Sequence, residues 1–208
     1  MSTMAGFSLV ETVIAMGLGL SLTGTIMQTL IWQSQAHNGV ARLLRERAWQ
    51  QRTLSLIAAD VARTRRISAK PEAEQAACEL AGRLPILHLE TTAGAITYTV
   101  GPAPSGIWRG RVLMRCGPAF DLQGNHSVAT QAQNRVVLDG LPSTGDTWNG
   151  CQELLGSHGS DITSSSRHGV WTCLDASGTL LGVRLQQQFR TGARQQMIET
   201  QRLLSTTP

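Results

Sequence analysis

From Phe7 to Trp32 the chain reads FSLVETVIAMGLGLSLTGTIMQTLIW, an apolar run whose one formal charge is Glu11. A helix of that length, at about 1.5 Å per residue, is about 39 Å long and spans the ~30 Å hydrocarbon core of a bilayer. From Gln33 to Ile67 there is no proline, and Val40, Leu43, Leu44, Leu54, Ile57 and Val61 recur at helical spacing with Arg42, Arg45, Arg47, Arg52 and Arg63 largely between them. That pattern predicts an amphipathic helix over 33–67 that continues the apolar one, with Gly39 as its expected bend and its apolar stripe free to hold a sheet. Pro71 is expected to end helical character, and the alanine-rich Glu72–Ala81 to form a short helix bearing Cys78. Beyond it the period becomes that of strands: 86–90, 95–100, 111–115, 135–138, 169–173, 180–189 and 196–204. Hairpin turns are placed at Ala93-Gly94 and Ser177-Gly178, and a longer connection at 101–106. The predicted fold is α+β: a long N-terminal helix, membrane-spanning over 7–32 and amphipathic over 33–67, packed on a mainly antiparallel globular part over 68–208.

Composition narrows the class. The 208 residues suffice for one domain of ordinary size, and the 15% of charged residues falls below the roughly 25% of soluble domains because one end is apolar. Disorder throughout, collagen, coiled coil and a multi-span membrane protein are excluded. Lys70 is the sole lysine among 18 basic residues, and Arg42, Arg45, Arg47, Arg52, Arg63, Arg65 and Arg66 concentrate the basic charge in the neck. This run reads as a solvated helix face, as a surface toward anionic lipid or acidic neighbours, or as a nucleic-acid contact. Trp49 is the one aromatic within it, so the interleaving that favours nucleic acid is missing.

Cys78, Cys116, Cys151 and Cys173 include no C-x-x-C pair and no histidine at zinc-ligand spacing. An even count at wide spacing favours two disulfides and an oxidising compartment over a metal site or buried free thiols. Three connectivities are open, the simplest being Cys78 with Cys116 and Cys151 with Cys173. The Gly- and Ser-rich stretch 149–167 is then a surface loop partly fenced by the second bridge.

Catalytic patterns are absent from the sequence: there is no G-x-S-x-G, P-loop or H-E-x-x-H. Gly17-x-Gly19 lies inside the apolar helix, and Glu72 with Glu74 reads as solvated. His37, His88, His126, His158 and His168 share no spacing. A metal between His158, Asp161 and His168 is the weaker reading beside solvated loop residues, and Asn125-His126-Ser127 matches a glycosylation acceptor only as a common chance pattern. The expectation is no enzyme, no metal and no cofactor.

The apolar run is not built like a secretory signal, because Met1–Gly6 has no basic residue, the run is long, and bulky Ile31 and Trp32 close it. An ionised Glu11 in a bilayer costs several kcal/mol and needs a partner or a function. The string Gly6-Phe7-Ser8-Leu9-Val10-Glu11, followed by an apolar helix, resembles the class III signal of type IV pilins and type II secretion pseudopilins. The resemblance implies cleavage by a prepilin peptidase after Gly6, methylation of Phe7 as the new N-terminus, and Glu11 as the fifth residue of the processed chain. The new amine lies one helical turn from Glu11, so amine and carboxylate of stacked subunits can neutralise each other in an apolar filament core. Residues 1–6 would be the leader.

Two features depart from that family: the leader lacks basic residues, and the arginines after the span would by the positive-inside rule favour a cytoplasmic C-terminal part. The peptidase motif is the more specific signal. Ala15 with Gly19, Gly17 with Ser21, and Ser21 with Thr25 are small pairs four apart that permit close helix packing. The family's helix-kinking proline is replaced by Gln28, and Gly17, Gly19 and Gly24 loosen the helix instead. The size of the globular part and its I-T-Y-T-V, L-M-R-C, V-V-L-D-G-L and G-V-R-L segments resemble J-type (PilW-like) minor pilins. The expected role is a minor pilin or pseudopilin at a filament tip or in initiation, stored in the bacterial inner membrane with its C-terminal domain outside the cytoplasm. Its expected partners are other pilin subunits, the prepilin peptidase, the inner-membrane assembly platform and lipid. The alternatives are a pilus-tip adhesin or DNA-uptake subunit, and a bitopic membrane protein with an unrelated soluble domain.

Overall fold

The computed structural model describes residues 8–121, 123–127, 131–144, 148, 150–162, 168–192 and 194–206, without the side chains of 31 and 34–38. Helix α1 runs over Leu9–Ala62 and continues through Gly39. The chain divides into two units, Met1–Arg45 and Glu46–Pro208.

Among the described residues of the second unit, nine strands form two antiparallel sheets. Sheet A holds β1 (Thr64–Ile67), β2 (Leu84–Thr91), β3 (Gly94–Pro102), β4 (Arg111–Gly117) and β5 (Gln133–Leu141) in sequential order. Sheet B holds β6 (Ser160–Asp161), β7 (Val170–Leu174), β8 (Leu180–Thr191) and β9 (Arg194–Ser205), again in order. Helix α2 (Gly150–Leu155) lies between the sheets in sequence. Strands that neighbour in sequence pair in each sheet, with short turns between β2 and β3, β7 and β8, and β8 and β9, and longer connections between the other strands of sheet A. The α+β expectation holds, and all seven expected strands are present.

One core unites the elements of this unit. Leu54, Ile57 and Val61 of α1 are buried with Leu89 and Tyr98 of sheet A and with Val183 and Leu185 of sheet B. The sheets approach closely where the Thr172 hydroxyl donates to the Ile86 carbonyl at 2.7 Å. Gly140 also serves this approach: its φ is +71°, and a Cβ there would lie 2.8 Å from the Gln188 carbonyl oxygen. A side chain at this position would be strained and would push the sheets apart.

Three sequence expectations need correction. The neck helix was expected to reach Ile67, but α1 ends at Ala62, where the Arg63 N–H turns back to the Asp60 carbonyl. Thr64–Ile67 is instead β1, and the Thr64 hydroxyl donates to the Glu90 carbonyl at 3.1 Å. A β-branched residue at each end of TRRI and an available edge on β2 outweigh helical period over four residues. Within Glu72–Ala81 there is no α-helix: a 3-10 turn covers Pro71–Ala73, and the rest is turn and bend. Alanine's helix propensity there yields to the tether on Cys78. The stretch 149–167 was expected to be a surface loop, but it contains α2, a second 3-10 turn (Gly156–His158) and β6. Positions 149 and 163–167 lie outside the described residues.

The simplest cysteine pairing is the one formed. Cys78 bridges Cys116 of β4 with Cα atoms 5.9 Å apart, and Cys151 of α2 bridges Cys173 of β7 at 5.7 Å. The second bridge therefore anchors a helix to sheet B rather than fencing a loop. With sequence separations of 38 and 22 residues, each cross-link removes about 3–4 kcal/mol of unfolded-state entropy in the loop-closure model. Replacing either pair by alanine is expected to lower the urea midpoint of the full chain in detergent, followed by far-UV circular dichroism. An unchanged midpoint would show that the reduced chain is already constrained.

Candidate functional site

The first unit presents an apolar helix. Leu9–Leu30 is long and apolar enough to cross a membrane, and none of its most apolar window is buried within the chain. Its hydroxyls are satisfied inside the helix: Thr12, Ser21, Thr23, Thr25 and Thr29 donate to the carbonyls of Leu9, Leu18, Gly19, Leu22 and Ile26 at 2.7–2.9 Å. Such back-bonding lets a hydroxyl enter hydrocarbon without an orphan donor. Glu11, in the first turn, has no such solution, and among the described residues its carboxylate meets no partner. A carboxylate in an apolar helix is costly to bury without a partner.

In the second unit, the same helix is held by a face that is more polar than its sequence pattern suggests. Glu46, Gln50, Thr53, Leu54, Ile57, Asp60 and Val61 are all buried, and their spacings of three and four put them on one stripe. Four of the seven are polar, so each needs a partner. Trp49 Nε1 and Thr53 Oγ1 both donate to the Val137 carbonyl of β5 at 2.8 Å. On the other side, the Thr200 hydroxyl of β9 donates to Gln50 Oε1 at 2.7 Å.

Asp60 is the most connected of these residues. Its carboxylate is fully buried and accepts from Tyr98 Oη at 2.6 Å, from Arg115 Nε at 2.6 Å and Nη2 at 3.1 Å, and from His126 Nε2 at 2.9 Å. One side chain thereby joins α1 to β3, β4 and the 118–127 segment. Arg115 Nη1 also donates to the Pro118 carbonyl at 3.0 Å, and the Phe120 ring lies 4.9 Å from the guanidinium carbon. Burial, followed by the charge on Asp60, pushes the Tyr98 phenol well above its ordinary value. Burial opposes the charge on Arg115, but its bonds to Asp60 prevail and raise its pKa. Tyr98 therefore stays a neutral donor and Arg115 a cation across the accessible pH range.

A second hub joins Glu46 to the loop between β3 and β4. Arg109 donates to both Glu46 oxygens at 2.7 and 3.1 Å and to Asp139 Oδ1 at 2.8 Å, while Gln187 Nε2 of β8 donates to Glu46 Oε2 at 3.0 Å. Hydrogen bonds from Glu46 and Asp139 hold the Arg109 guanidinium firmly charged.

Among the described residues, the one group of ligating side chains within reach of a common ion is Glu74, His88 and Glu90. Arg66 supplies the cation there: its Nη2 lies 3.1 Å from Glu74 Oε1 and also pairs with Glu90. His88 Nδ1 bonds the Thr97 hydroxyl at 2.9 Å. Burial holds the imidazole below its ordinary value, against the pull of Glu74 and Glu90. This arrangement acts as an ion-pair clasp closing β1, β2 and the Pro71 turn.

Of the residues singled out from sequence, Gly6 and Phe7 lie outside the described residues, Glu11 stands on α1 as expected, and the four cysteines are paired. His158, Asp161 and His168 are not gathered into a ligand group. His126 was read only within a glycosylation pattern, yet its side chain is 4% exposed and bonded to Asp60. The signal that would have found Asp60, Glu46 and Gln50 was present: polar residues at helical spacing with Leu54, Ile57 and Val61. No family model, no curated protein and no solved structure matches this chain.

Two predictions follow from these hubs. Asp60→Asn or Arg115→Met, each leaving a partner buried and unpaired, is expected to cost about 3–5 kcal/mol. The double variant Asp60→Asn/Arg115→Met should cost less than the sum, measured by urea unfolding; strict additivity would show that the pair is uncoupled. His88 gives a pH dependence. Its folded pKa is depressed, so as pH falls through about 6.5 the unfolded chain takes up the proton first, and stability present above that pH declines below it. His88→Gln is expected to flatten the fall in urea midpoint between pH 7.5 and 5; equal slopes would place the dependence elsewhere.

Proposed function

We propose that this protein is a minor pilin or pseudopilin, a non-catalytic subunit of a type IV pilus or type II secretion pseudopilus. The reading is carried by Glu11: a lone carboxylate in the first turn of an apolar helix that nothing in its own unit buries, five residues after Gly6 in the string G-F-S-L-V-E. Prepilin peptidase removes residues 1–6 and methylates Phe7, leaving an amine one turn from Glu11. In the membrane the helix is a single span, with the remainder of the chain on the oxidising side of the bacterial inner membrane, which suits two disulfides. The assembly platform then draws the helix into a filament. There it exchanges lipid for neighbouring apolar helices, and Glu11 meets the N-terminal amine of the next subunit. Pairing offsets the cost of burying each charge, whereas a lone charge would remain stranded. A two-sheet globular unit is bulky for a repeated lattice, which favours a tip or initiating position.

The test is intact and N-terminal peptide mass spectrometry of the protein from membranes of cells with and without a prepilin peptidase. The expected product begins at methylated Phe7 and disappears without the peptidase. Glu11→Leu should leave processing intact but remove the subunit from sheared filaments. An unprocessed N-terminus in both strains would overturn the reading and leave a bitopic membrane protein.

A further inference from the structure

Strand β9 presents an open edge. It is twelve residues long, pairs β8 in unbroken register from Thr191↔Arg194 to Leu180↔Ser205, and is the last strand of sheet B. The Thr206 N–H donates to the Thr179 carbonyl at 3.0 Å, which fixes the alternation. Even-numbered residues of β9 direct their backbone groups to β8, and Gln195, Met197, Glu199, Gln201, Leu203 and Ser205 direct theirs outward. Among the described residues, those outward N–H and C=O groups have no protein partner. The strand has no proline and no bulge, two of the devices that stop an edge from pairing, and its one charged outward position, Glu199, is paired with Arg184 of β8.

The same odd-numbered residues form the solvent face, and Met197 and Leu203 on it are 48% and 45% exposed. When two copies of β9 run antiparallel about a two-fold axis at Thr200, residue numbers of opposed positions sum to 400. Met197 then faces Leu203 of the other copy, twice, and Glu199 faces Gln201. Glu199–Gln201, Met197–Leu203 and Gln195–Ser205 become hydrogen-bonded pairs, and nearly the whole strand is used. Moving the axis to residue 199 overlaps as much of the strand but sets Met197 against Gln201 and Leu203 against Gln195, which gives up both Met–Leu contacts, and opposes Glu199, already paired with Arg184, to Glu199.

We propose that two copies of this chain associate edge to edge through β9, antiparallel and in this register, to make one continuous eight-stranded sheet from two copies of sheet B. The proposal does not rest on the pilin reading. Its apolar contribution is two Met–Leu contacts; main-chain pairing supplies most of the affinity, and the side-chain pairs set the register, as in other strand additions.

The native cysteines are all in disulfides, so an introduced thiol is the free one. Full chains carrying Met197→Cys and Leu203→Cys are made separately, mixed in detergent and briefly oxidised. In the proposed register a thiol at 197 faces position 203 of the other copy, at a Cα separation of about 5.5 Å that a disulfide spans. Two thiols at 197 lie about 20 Å apart, six residues along the strand. The expected result is a cross-linked dimer from the mixture and none from either variant alone. Adding Gln201→Pro to both chains removes an outward N–H without touching the β8 ladder, and should abolish the cross-link while circular dichroism stays unchanged. No dimer in the mixture, equal yield from single variants, or insensitivity to Gln201→Pro would each overturn the proposal.

Discussion

The architecture of the second unit depends on a buried carboxylate accepting four hydrogen bonds. An apolar stripe buries a helix but does not fix its axial position, because Leu54, Ile57 and Val61 could slide by a turn and still meet aliphatic neighbours. Asp60 removes that freedom: Tyr98, Arg115 and His126 converge on its two oxygens from different segments, and a shift of one turn would leave a charge uncompensated. Glu46 repeats the device about four turns toward the N-terminus through Arg109 and Gln187. The two hubs stabilise little beyond what apolar contacts would, since desolvation offsets most of the attraction, but they make alternative registers expensive.

This division of labour explains what could be read from the sequence. The apolar span, the seven long strands, the hairpin turns and the cysteine pairing were legible because each rests on local period, on Gly in a turn, or on the shortest loop between cysteines. The end of α1 was not legible, because Thr64–Ile67 is decided by an edge of β2 that lies some twenty residues further on. Nor was α2, which six residues could not signal by period and which is held by Cys173. The polar anchors escaped for a different reason. Glu46, Gln50 and Asp60 look like the solvated face of an amphipathic helix until their partners, 38 to 150 residues away, are brought to them. The arginines show the reverse: Arg66, read as part of a basic run, pairs with Glu74 beside the Pro71 turn and with Glu90 of β2.

How the sheets end is as informative as how they pack. Sheet A is bounded by β1, only four residues long, and by β5, where the Val137 carbonyl is capped by Trp49 and Thr53 of α1. Sheet B begins with β6, two residues long and tied to the Cys151 helix through β7. Short edges and helix-covered edges are the ordinary means by which a β protein avoids pairing with other chains. Three of four edges are treated this way, and β9, the fourth, is among the longest strands in the protein. Its core-facing positions Ile198, Thr200 and Leu204 are held by β8 and Gln50, so the strand is paired along its whole length on its inner side. Among the described residues three edges are blunted and the longest is open and unbulged, and strand pairing along it would require no rearrangement of the core.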